Sequence, residues 1–179
     1  MIYHFLPFST TKAIGEAYNA HCEIVPDGEW ICIYDYDTLI LDSRVFDIME
    51  KAIRHNPDTS IFSCFASRIG YNHQRLTTRI EDNDSIRFHM DIARDLADRY
   101  PNGECVNAPT VAGFFLLFPK EYWKRNKFQR NMFDNAGRLF DRNFAREAEG
   151  RNKIKLIRGI YLWHTYRLWK GARDTSHLL

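Results

Sequence analysis

Asp35 and Asp37 stand one residue apart, directly behind Trp30 to Tyr34 (WICIY), a continuous apolar run of strand length. A strand buried on both faces reads this way. In open α/β sheets, ligands bind outside the carboxyl ends of the strands. Two carboxylates so placed repel each other and lose solvation, so both ionise cheaply only beside a cation. Mg²⁺ and Mn²⁺ take oxygen ligands, commonly one or two carboxylates together with substrate phosphates. The chemistry open to this pair is therefore to hold a divalent ion against a diphosphate. The bland alternative is an exposed acidic turn that caps the next segment.

Other chemistry is thinner. Cys22, Cys32, Cys64 and Cys105 form no CxxC pair, and Cys32 and Cys64 sit in apolar runs where Cys acts as a small hydrophobe. A formal charge of +2 is too small for a nucleic-acid footprint, and the basic residues alternate with acids, as in Arg94-Asp95 and Asp98-Arg99. The start, Met1-Ile2-Tyr3-His4, lacks the basic and apolar regions of a secretory signal. No apolar stretch reaches the ~20 residues that a membrane span needs. A reducing, cytoplasmic setting is the expectation. The aromatic content of 15% is high enough to supply both core and stacking surfaces for sugar or base rings.

The elements that must position these groups alternate between strand and helix, and the whole chain, 1–179, reads as a single α/β domain. Ile2 to Phe8 is a short strand ended by Pro7. Ser9-Thr10-Thr11 can cap a helix from Lys12 to Cys22. Pro26-Asp27-Gly28 is a turn before the WICIY strand. Asp42 or Ser43 starts the clearest helix, with Val45, Ile48, Met49 and Ala52 as one core-facing stripe and Asn56-Pro57 as its stop. Ser60 to Ala66 is a second buried strand, 68–84 an irregular stretch, and Ile86 to Tyr100 an amphipathic helix ended by Pro101-Asn102-Gly103. Val111 to Phe118 is a third strand, and Pro119 starts a short helix through Trp123. The stretch 124–150 is polar and basic, punctuated by Phe128, Phe133, Phe140 and Phe144. Ile154 to Trp163 reads as a last strand, with a mobile tail beyond Lys170.

Taken in order, several segments resemble the family 2 glycosyltransferases of the GT-A fold, in their short bacterial and phage forms. They are Leu6-Pro7-Phe8, Ile14-Gly15-Glu16-Ala17-Tyr18-Asn19, Trp30 through Asp37, Ile61 to Phe65 with Arg68-Ile69-Gly70, and Ala112 to Leu117. Phe140-Asp141-Arg142-Asn143-Phe144 is similar to the family's base-bearing acidic motif, and Trp163-His164-Thr165-Tyr166-Arg167 to its C-terminal His motif. The resemblance implies a Rossmann-like, mixed and mostly parallel sheet flanked by helices and abbreviated at the N-terminus. It implies a nucleotide-diphosphate sugar donor, a hydroxyl-bearing acceptor and a Mn²⁺ or Mg²⁺ cofactor. Asp37 and Asp35 would hold the metal, with Asp35 contacting the ribose or a metal-bound water, and His164 would be a further ligand or touch the diphosphate. Pro7, Gly15, Asn19 and Arg68 would line the donor pocket. Asp141 would be the general base of a single, inverting displacement, with Asp134 its nearest rival.

Two other readings stay open. One is a non-catalytic sugar-nucleotide or glycan-binding module of the same fold. The other is a phosphohydrolase of the haloacid dehalogenase type, whose Asp-x-Asp motif also ends a buried strand. That family places one residue between its second Asp and a Thr, whereas Thr38 follows Asp37 directly.

Overall fold

The computed structural model describes residues 1–11, 13–77, 83–149 and 152–165. The expectations for Lys12 as a helix start, for 78–82 in the irregular stretch, for Gly150, for Tyr166 and Arg167 in the His motif and for the tail all fall outside them.

Among the described residues seven strands form one open mixed sheet: β1 (Ile2–Phe5), β2 (Trp30–Tyr34), β3 (Thr38–Ile40), β4 (Ile61–Ala66), β5 (Cys105–Asn107), β6 (Phe115–Pro119) and β7 (Ile154–His164). The order is β1-β2-β6-β4-β7-β3, with β5 sharing the outer side of β7 with β3. β1, β2, β4 and β7 run in one direction. β6 enters between β2 and β4 in the opposite sense, and β3 and β5 run against β7. The expectation of a mostly parallel sheet is thus corrected. Only β1–β2 and β4–β7 pair in parallel, because an antiparallel strand separates the two parallel pairs.

Helices cover both faces. The strand period of two sends Ile31 and Ile33 of β2 to one face and Cys32 and Tyr34 to the other. On the first face lie α1 (Ile14–Glu23), α4 (Lys120–Arg125) and α5 (Phe140–Ala145), with Tyr18, Trp123, Phe128, Phe140 and Phe144 in the core. On the second lie α2 (Val45–His55) and α3 (Ile86–Arg99). The α2 stripe of Val45, Ile48, Met49 and Ala52 is buried as its 3.6-residue spacing requires. Burial of each of its three larger side chains contributes about 1.5–3 kcal/mol. Ser85 caps α3 by accepting from the Phe88 amide.

Some boundaries differ from the sequence reading. Ala13 holds the N-cap position of α1 without a side-chain bond; the Thr11 hydroxyl instead accepts from the Ala13 amide, one turn earlier. The third strand begins at Phe115 rather than Val111. The short edge strand β5 and the helix α5 were not anticipated.

Hydrogen bonds at Asn19, Gly15 and Lys120 dock α1 onto α4 and the loop behind it. The Asn19 amide donates to the Phe128 carbonyl at 2.8 Å and accepts from Trp123 Nε1 and the Phe128 amide. The Gly15 amide donates to the Arg130 carbonyl at 3.0 Å. The buried Lys120 ammonium donates to the carbonyls of Cys22 and Glu23, neutralising the negative end of the helix.

Candidate functional site

The sheet brings together five strand ends. Asp35 follows β2, and its amide donates to the Phe114 carbonyl at 2.9 Å, which sets the start of β6 beside it. Asp37 precedes β3, whose Thr38 lies opposite His164 at the end of β7. The Thr165 amide and hydroxyl both donate to the Asp37 carbonyl. Ser67, just past β4, exchanges hydrogen bonds with the His164 main chain, each 3.0 Å long. A bulge in β7 sets which of its residues arrives here: Cys64 pairs with Ile157, whereas Phe65 pairs with Tyr161, so that His164 falls beside Ser67. Gly159 sits in that bulge, where a Cβ would lie 2.3 Å from the Tyr100 carbonyl oxygen.

The outcome is a compact cluster. Asp35, Asp37 and His164 each offer a ligand atom, all within 4.8 Å of one another, and His164 Nε2 stands 3.4 Å from Asp37 Oδ1. Two ligands of one divalent ion stand at most about 4–5 Å apart, so the spacing fits one ion. The Phe114 ring stacks on the imidazole at 5.4 Å, so the His164 ring is held by packing as well as by its backbone. Two carboxylates and one imidazole form a donor set that suits Mn²⁺ better than Mg²⁺.

Electrostatics point the same way. Burial, then the adjacent Asp37 charge, pushes the Asp35 carboxyl up to about 6, against the smaller opposing effects of His164 and of the Tyr18 hydrogen bond. The cluster is therefore short of positive charge. Tyr18 donates its hydroxyl to Asp35 Oδ1 at 3.1 Å. Burial, reinforced by Asp35, pushes the phenol far above its ordinary value and keeps it a neutral donor. Tyr36, between the two aspartates, is exposed.

Asp141 lies in the first turn of α5 and faces the start of β6. Its Oδ2 accepts from the Gly113 amide at 2.8 Å and its Oδ1 from the Arg142 amide at 2.7 Å. A Cβ on Gly113 would meet Asp141 Cβ at 2.6 Å, so only glycine admits this approach. Burial raises the Asp141 carboxyl, while its charge reaches both Asp35 and Tyr18.

No known protein-family model matches the sequence, and no curated protein does either.

Set against this geometry, the sequence-derived site residues divide. Asp35, Asp37 and His164 come together, and Asp141 joins their electrostatic neighbourhood. Pro7 is buried just beyond β1, at the same edge of the sheet as Asp35. Gly15 and Asn19 are engaged within the protein. A Cβ on Gly15 would lie 1.8 Å from the Gln129 carbonyl oxygen, and the Asn19 amide is engaged with Trp123 and Phe128. Both dock α1. Arg68 reaches the correct edge but is buried and ion-paired with Asp84, not an open loop cation. Asp134, the rival base, is tied into its own turn. Its carboxylate accepts from the amides of Ala136 and Arg138 and from the Asn143 side chain, and these bonds hold it well below the usual carboxylate range.

The residues missed from sequence are Tyr18, Ser67, Phe114 and Gln74. Gln74 is fully buried. It donates to Ser63 Oγ at 2.9 Å and accepts from the Ala112 amide at 2.8 Å, fixing the segment that presents Gly113 to Asp141. Nothing in the spacing of these residues marks them. Tyr18 alone carried a signal, as a polar-tipped side chain on the core face of a helix.

Proposed function

We propose that this chain is a metal-dependent, inverting glycosyltransferase that moves a sugar from a nucleotide diphosphate to an acceptor hydroxyl. The observation that carries the reading is the convergence of His164 on Asp35 and Asp37, more than a hundred positions earlier in sequence, at one end of an α/β sheet. The ordered resemblance to family 2 glycosyltransferases supports it. Among the described residues no helix is long and apolar enough to cross a membrane.

Asp35, Asp37 and His164 would hold Mn²⁺ or Mg²⁺. Held by these residues, such an ion would supply positive charge against the diphosphate and its developing charge. Tyr18 engages one oxygen of Asp35 and so fixes the carboxylate's orientation. Asp141 takes the acceptor proton as the hydroxyl oxygen attacks the anomeric carbon. Its raised affinity for a proton suits that role, and the two amides at Gly113 and Arg142 aim its oxygens.

The test is release of nucleotide diphosphate from a panel of nucleotide sugars, with acceptor glycans, in Mn²⁺ and in chelator. Release that requires Mn²⁺ and disappears in Asp37→Ala is the expected result. Metal-dependent binding without turnover would assign the chain to the binding-module reading instead. Neither binding nor turnover would end the proposal.

A further inference from the structure

We propose that the hairpin Met132 to Phe140, together with Arg142 on α5 and Arg146 just past it, docks this protein on an anionic phospholipid surface. The hairpin is defined by the Asp134 amide donating to the Arg138 carbonyl, the Phe140 amide donating to Met132, and an antiparallel bridge between Phe133 and Leu139. Directly bridged residues share one face of a hairpin. Phe133 is 55% exposed and Leu139 42%, with Met132 beside them at 43%. Three large apolar side chains thus stand in water on one short segment, which leads directly into α5.

Charge complementarity names the occupant. Arg138, Arg142 and Arg146 line one cavity of about 280 Å³ with Asn143 and Glu149. Arg142 and Arg146 are exposed, and neither belongs to an ion pair among the described residues. Of the nearby acids, Asp134 is ion-paired with Arg138, Asp141 accepts from the amides of Gly113 and Arg142, Glu149 accepts from the Thr110 hydroxyl, and the exposed Glu147 lines a different cavity beside Tyr122 and Arg125. Arg142 and Arg146 therefore give this face two unpaired positive charges beside an apolar flank. That combination matches a phosphate headgroup above acyl chains, since membrane binding of a peripheral surface needs apolar insertion and cationic attraction together. A protein partner of matching acidic and apolar character is the competing occupant, and self-association another.

The proposal does not depend on sugar transfer, and its test reads the two apart. The full chain is sedimented with vesicles of phosphatidylcholine alone and of an equimolar phosphatidylcholine–phosphatidylglycerol mixture. Binding to the anionic vesicles only, weakened by salt, is expected. The double variant Arg142→Gln with Arg146→Gln should lose about fivefold in affinity per arginine. Phe133→Ser with Leu139→Ser should lose about tenfold or more. All four side chains are exposed, and thermal melting checks that both variants remain folded. Equal binding to neutral vesicles, full binding by either variant, or binding to neither vesicle would overturn the proposal. So would displacement by free glycerol phosphate, which would make the cavity a small-anion site, or a dimer that dissociates in these variants without vesicle binding. Mn²⁺-dependent nucleotide-diphosphate binding, followed in the same samples, reports separately on the aspartate–histidine site.

Discussion

Replacing Asp35 with Asn should make the metal-free protein more stable and the metal-loaded protein less so. In the folded chain the Asp35 carboxyl is raised from its ordinary 3.8 to about 6 by burial and by Asp37. The folded state therefore binds this proton more tightly than the unfolded chain. Its contribution is favourable at low pH and is lost as pH rises from about 4 through about 6, above which the destabilisation is constant. The gap corresponds to about 3 kcal/mol at ~1.4 kcal/mol per pH unit. Asp35 remains partly exposed, and solvent screening reduces the expected effect to roughly 1–2 kcal/mol. For a chain of this size that is about 2–8 °C in Tm. Asn keeps an oxygen for the Tyr18 hydroxyl, so the variant removes charge while sparing that bond. Melting is followed from pH 4 to pH 8 in chelator and in Mn²⁺. In chelator, Asp35→Asn should be the more stable at pH 7 and show a flatter slope between pH 4 and pH 6. In Mn²⁺ the order should reverse, because the wild type alone gains fully from the ion. A variant less stable than wild type at pH 7 in chelator, or stabilised equally by Mn²⁺, would refute the reasoning.

Asp141→Asn should lower transfer by about two to four orders of magnitude. It should also cost about 1–3 kcal/mol in stability, because its new NH₂ must face either the Gly113 or the Arg142 amide. Steady-state kinetics and denaturant unfolding separate the two effects; unchanged turnover would remove Asp141 as the base. Gly15→Ala should destabilise by about 1–3 kcal/mol in unfolding experiments, since its methyl meets the Gln129 backbone. An unaffected protein would show that α1 is not docked as described. Gln74→Leu strands the Ala112 amide and should shift Gly113 against Asp141, lowering kcat more than it raises KM. A change in KM alone would argue against this positioning role.

The sequence displayed its periodic features well. The α2 stripe and the strands beginning at Trp30 and Ile61 were legible because burial imposes a period of 3.6 or a continuous apolar run. α5 was also readable in principle, since Phe140, Phe144 and Ala148 repeat every four residues, but the surrounding charges obscured it. β5 was not legible: three edge residues between Gly103 and Pro109 show too little pattern. Sheet order was beyond reach as well, because β6 pairs with strands far away in sequence and no local residue encodes its direction. In the site, Asp35 and Asp37 were visible because strand and acids are adjacent. His164 and Asp141 came from the resemblance. Gly15 and Asn19 were assigned to a ligand, whereas a glycine allowing close approach and an amide seeking partners serve helix docking equally well.

The measurement that bears most directly on the central claim is calorimetric titration of a nucleoside diphosphate into the protein, in Mn²⁺ and in excess chelator. Wild-type protein should bind at least tenfold more tightly with Mn²⁺ (about 1.4 kcal/mol or more), and Asp37→Ala and His164→Ala should each lose that gain. Equal affinity in chelator, or a Mn²⁺ gain that survives in Asp37→Ala, would contradict the assignment of Asp35, Asp37 and His164 as the metal site.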